Sequence, residues 1–90
     1  MKASRLLISG TVQGVGFRFH AERAAGALGI RGYVRNLEDG RVEVVAAGPA
    51  GRLEAFIERL REGPRGGLVE GMEITDAALE DRCRGFEIRY

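Results

Sequence analysis

Two stretches with helical spacing of apolar residues, each set between strand-like runs, constrain the fold more than any other feature of this sequence. From about Phe19 to Leu28 the apolar positions Phe17, Ala21, Ala24 and Leu28 fall three and four apart, and Gly29 follows as a stop signal. Leu53, Phe56, Ile57 and Leu60 repeat the pattern between "GPAG" and "EGPRGG". Before the first helix, Arg5 to Val12 reads as a buried strand cut off by Gln-Gly. Between the helices, "IRGYVRN" and "RVEVVAA" flank "LEDG", where Asp39-Gly40 supplies the backbone geometry of a tight hairpin turn. After the second helix, "LVEGMEIT" is a strand that Gly71 interrupts, as a bulge would, and Phe86, Ile88 and Tyr90 alternate in a last short strand. The order β-α-β-β-α-β, with a short strand after it, predicts an α+β, ferredoxin-like split βαβ domain: an antiparallel sheet with both helices on one face.

Ninety residues leave room for one core, so residues 1–90 are read as a single domain. With 44% hydrophobic and 30% charged residues the composition is that of a soluble globular chain. Fourteen basic against thirteen acidic residues leave a formal charge of +1, so no broad field draws nucleic acid or an anionic membrane, and any anion site must be local. Cys83 is the only cysteine and His20 the only histidine, which excludes an intrachain disulfide and a zinc cluster. A reducing cytoplasm is the expected location, and no metal or cofactor is expected.

The chemistry lies in the loops. "ISGTVQGVGFRFH", Ile8 to His20, joins the first strand to the first helix through Gln13, Gly14, Val15, Gly16, Phe17 and Arg18. A helix start presents unpaired backbone N–H groups, and glycines let successive amides curl around an anion without side-chain clash. Arg18 adds a planar fork of donors that grips two phosphate oxygens at once. Taken alone, such a junction is more often a plain turn with a solvated arginine. Asn36, at the end of the next strand, is on its own more often a turn former. Glu38 and Asp39, at the hairpin tip, are more often solvated than basic catalysts.

Both loops together resemble the acylphosphatase family. The first stretch carries that family's pattern, an aliphatic residue followed by Gly-x-Val-Gln-Gly-Val-x-Phe-Arg, from Ile8 through Arg18. The second carries Gly-aromatic-small-basic-Asn from Gly32 to Asn36, then Gly40, Val42 and a closing Gly48. The resemblance extends over almost the whole chain through "ALGIRGYVRN", the "GP" after the second helix and the terminal "FEI", and is least specific in the C-terminal third.

The resemblance implies hydrolysis of acyl phosphates to a carboxylate and inorganic phosphate by a monomer, without metal or phosphoenzyme. Arg18 would bind the phosphoryl group and Asn36 would orient the attacking water. A carboxylate is a good leaving group, so the reaction makes little demand on general-acid help from His20. Two alternatives are a non-catalytic acylphosphatase-like module that binds anions or regulates, and an RNA-recognition module. The second stacks bases on central-strand aromatics, and "RVEVVAA" offers none.

Overall fold

In the computed structural model, which describes residues 2–78 and 84–90, the chain forms β1 (Lys2–Thr11), α1 (Phe17–Leu28), β2 (Arg31–Asn36), β3 (Val42–Gly48), α2 (Ala50–Glu62), β4 (Leu68–Asp76) and β5 (Phe86–Arg89). Cys83, on which the disulfide argument rested, lies outside the described residues. The strands make one five-stranded sheet in the order β4-β1-β3-β2-β5. Among the described residues no helix is long and apolar enough to cross a membrane.

The pleat divides the sheet into two faces. On one, Leu6 and Ile8 of β1, Val34 of β2 and Val42, Val44 and Ala46 of β3 are buried in a single cluster with Phe17, Ala21, Ala24 and Ala25 of α1 and Leu53, Phe56 and Leu60 of α2. These helix positions recur at the three- and four-residue spacing seen in the sequence, which turns one stripe of each helix onto the sheet. Alanines on α1 keep its buried face thin and leave space for the larger side chains of α2. Phe56 and Phe86 pack edge to face, 5.6 Å between ring centres, which draws β5 into the core.

On the opposite face, the central strand β3 buries Glu43, only 2% exposed. Arg5 Nε donates to Glu43 Oε2 at 2.7 Å and Arg35 Nε donates to Glu43 Oε1 at 2.6 Å, so both carboxylate oxygens are occupied. Burial pushes this carboxyl up, but hydrogen bonds from Arg35 and Arg5, and their charges, outweigh it and hold the group below its ordinary value.

Two expectations are corrected, and that of a bulge at Gly71 is borne out. The sheet is mixed: β2 pairs in parallel with β5, from Gly32 opposite Phe86 to Arg35 opposite Arg89, while the other pairs are antiparallel. The chain reverses direction after β4 and re-enters at the far edge, so β5 points the same way as β2. The bulge lies just before Gly71. Ser9 pairs with Gly71 and Gly10 with Val69, leaving Glu70 as the extra residue. Finally, β1 starts at Lys2 instead of Arg5, because Lys2, Ala3 and Ser4 pair with Gly48, Ala47 and Ala46 of β3. Backbone pairing to a central strand needs no apolar side chain to announce it.

Candidate active site

The β1–α1 loop is pinned at both ends by apolar side chains, Val12 and Phe17, which are buried in the core. Between them Gly14 and Gly16 adopt φ of 76° and 78°, in the left-handed region. A Cβ at either would meet no atom within 4 Å, so it is torsion, not lack of space, that calls for glycine here. Gly16 is also the N-cap of α1. It offers no side-chain cap, the first turn holds no acidic residue, and the helix ladder begins only with the His20 amide donating to Gly16 O at 3.0 Å. The amides of the first turn therefore have no intrahelical partner and carry the positive end of the helix dipole.

A cavity of about 110 Å³ opens at this point, lined by Val12, Gly14, Gly16, Arg18, Phe19 and Asn36 among others. At ~30 Å³ per water, it holds a ligand of a few heavy atoms. Arg18 and Asn36, eighteen positions apart in the sequence, thus border one space. Asn36 is the last residue of β2, paired with Val42, and its exposed amide has no hydrogen-bond partner among the described residues.

Two of the loop residues singled out in the sequence do not line the cavity. Val15 packs against the core. Gln13 turns away: its Nε2 donates to Leu37 O at 2.8 Å and to Arg41 O at 2.9 Å, tying the glycine loop to the β2–β3 hairpin. The same hairpin is closed by Leu37 N donating to Arg41 O at 2.8 Å, and by Asp39, which accepts from the Arg41 backbone N–H at 3.0 Å and from Arg41 Nε at 2.8 Å. Those bonds, the backbone one foremost, hold the Asp39 carboxyl below its ordinary value. It is engaged as a loop staple and does not line the cavity.

Sequence reasoning did not find what holds Arg18. Its Nη1 donates to the carbonyl of Arg89 at 3.3 Å, and its guanidinium lies 4.6 Å from the centre of the Tyr90 ring. The end of β5 is thus part of the site. The alternation of Phe86, Ile88 and Tyr90 marked a strand, but only the parallel pairing with β2 carries that strand to the mouth of the loop. One bond to Arg89 leaves most of the five guanidinium N–H donors unspent on protein. His20, the only histidine, has a structural contact: its Nε2 donates to Arg59 O at 2.9 Å, joining α1 to the end of α2. No group of three His, Cys, Asp or Glu side chains able to hold a metal ion occurs among the described residues.

A small α+β domain with an uncapped helix start at its first strand–helix junction, and an arginine and an amide on the rim of the cavity there, has an arrangement suited to an anionic ligand. The comparisons with known proteins narrow this. The family model for acylphosphatase matches residues 4–88. An acylphosphatase of Thermus thermophilus is 53% identical over 82 residues, covering 91% of this chain and 92% of the relative. One from Archaeoglobus fulgidus is 43% identical over 90 residues, the full length of both. The crystal structure of acylphosphatase from Bacillus subtilis superposes with a TM-score of 0.94 at 34% identity, covering 100% of each chain. The chain belongs to the acylphosphatase family, whose members hydrolyse the carboxyl-phosphate bond of acyl phosphates and release inorganic phosphate.

Proposed function

We propose that the phosphoryl group of the acyl phosphate sits against the amides of Gly14 to Arg18, that Arg18 grips two of its oxygens, and that Asn36 holds the attacking water. The observation that carries this reading is the convergence of Gly14, Gly16, Arg18 and Asn36 on one small cavity at an uncapped helix start. Water attacks phosphorus, the bond from phosphorus to the acyl oxygen breaks, and the electron pair leaves with the carboxylate. The proton lost by the water passes to a phosphate oxygen. Such a reaction depends on positioning and on stabilising charge, which fixed amides and a guanidinium supply without reorganisation. A neutral amide suits the place of Asn36, because it accepts from and donates to water without repelling the phosphate.

Asn36→Ala and Asn36→Asp test the assignment on benzoyl phosphate. The alanine variant is expected to keep its affinity for inorganic phosphate while kcat falls on the order of a hundredfold, the size of one well-placed polar group lost. The aspartate variant, bringing a carboxylate towards an anion, is expected to lose both. If both variants turn over at nearly the parent rate, Asn36 is a turn residue and the catalytic reading fails.

A further inference from the structure

Beside the phosphate cavity lies a larger one, of about 490 Å³, within the size range of small-molecule sites. The two share Gly16 and Phe19, so they adjoin at the α1 N-terminus. Arg23 of α1, Arg59 of α2 and Arg65 of the following turn line the second chamber, and no acidic residue does. Among the described residues none of these three arginines makes an ion pair, whereas Arg5, Arg35, Arg41, Arg61 and Arg89 each do. In a chain whose formal charge is only +1, this is a local concentration of uncompensated positive charge. The bond from His20 to Arg59 O fixes the two helices that form its walls, and Phe19, 62% exposed, stands at the junction with the phosphate cavity.

We infer that this chamber receives the acyl part of the substrate and selects acyl groups that carry a second anion, a carboxylate or a phosphate, with Arg23, Arg59 and Arg65 as the specificity-determining residues. The inference rests on the proposal that the glycine loop holds the phosphoryl group. Gly16 and Phe19, which line both cavities, mark the place where the acyl end would pass from one to the other. At ~1.5 Å per residue the Cα of Arg23 lies about 10 Å along α1 from Gly16, and helix side chains lean back towards the N-terminus, which brings its guanidinium within reach of a compact acyl group.

The test compares 4-carboxybenzoyl phosphate with 4-methylbenzoyl phosphate, rigid substrates of similar size that differ in the distal charge. The quantity read is the ratio of their kcat/KM values, compared between the parent, Arg23→Gln, Arg65→Gln and the double variant, so that the intrinsic reactivity of each substrate cancels. Each substitution is expected to lower the ratio roughly two- to fivefold, the size of an exposed ion pair. Raising salt from about 0.05 to 0.5 M should lower it in the parent with no mutation at all. If the parent hydrolyses both substrates and the ratio does not move with either change, the inference is overturned while the acylphosphatase reading stands. An equal loss on both substrates also overturns it, since the arginines would then attract the phosphoryl end. No hydrolysis of either substrate by the parent would overturn both.

Discussion

Gln13 spans the two halves of the site, and removing its side chain separates a structural effect from a catalytic one. Its amide makes two part-buried bonds, at 2.8 and 2.9 Å, to carbonyls of the hairpin that carries Asn36. Two such neutral hydrogen bonds contribute about 1–3 kcal/mol together. For a domain of this size each kcal/mol moves the melting midpoint by about 4–8 °C, so Gln13→Ala should melt roughly 8–16 °C lower for a mid-range loss of about 2 kcal/mol. Gln13→Glu should be worse still, because a carboxylate would face two carbonyl oxygens with no proton to give. Catalysis should also suffer, since a displacement near 1 Å at a reacting centre costs on the order of a hundredfold. The assay is a double-mutant cycle on kcat with Asn36→Ala, run beside thermal unfolding of the four proteins. If Gln13 acts by positioning Asn36, its removal lowers kcat in the parent and hardly at all in the Asn36→Ala background, while the loss of stability appears in both. An equal fall of kcat in the two backgrounds would refute the positioning argument.

Replacing Arg18 by lysine keeps the charge but loses the fork of donors, and should cut kcat/KM on the order of a hundred- to a thousandfold with a near-parent melting midpoint; near-normal hydrolysis would remove Arg18 from the site. Gly32→Ala should abolish folding or nearly so, because at φ 142° an added Cβ would collide with the backbone carbonyl of Val45 in the neighbouring strand; a soluble variant with a parent-like circular dichroism spectrum would contradict the packing. The Glu43 carboxyl is held below its ordinary 4.5, so the stability it contributes is fully present above about pH 4.5 and is lost as pH falls through the lower folded value. Glu43→Gln should therefore cost about 1–2 kcal/mol at neutral pH, discounted because its arginine partners are nearly half exposed, and should flatten the acid limb of the stability curve; an unchanged acid limb in denaturant titrations would show that the pair is not what acid breaks.

What was legible in the sequence was what local backbone chemistry encodes. The helical stripes of Phe17, Ala21, Ala24 and of Leu53, Phe56, Leu60 are each a periodicity within one element, and they reappear as the buried faces. Gly14 and Gly16 announced the loop, but the reason expected for them, freedom from side-chain clash, is replaced by left-handed torsion, since a Cβ at either would meet nothing. Pairings made at a distance were not legible. Nothing in "GFEIRY" specifies a parallel partner, yet it is the pairing with β2 that places the Arg89 carbonyl and the Tyr90 ring against Arg18. Nor does a glutamine at position 13 reveal that its amide is spent on carbonyls 24 and 28 positions away. Asn36 falls between these cases: its type suited a turn, the family pattern marked it as functional, and only the β2–β3 pairing brings it to the rim of the loop. On the proposed reading, the site is a local anion cradle completed by non-local parts. The loop has its own torsions and its own helix dipole, so a variant that disturbs only the hairpin should still bind phosphate while losing turnover, whereas one that disturbs β5 loosens Arg18 and should weaken both. That asymmetry is why phosphate affinity and kcat must be measured together for every substitution considered above.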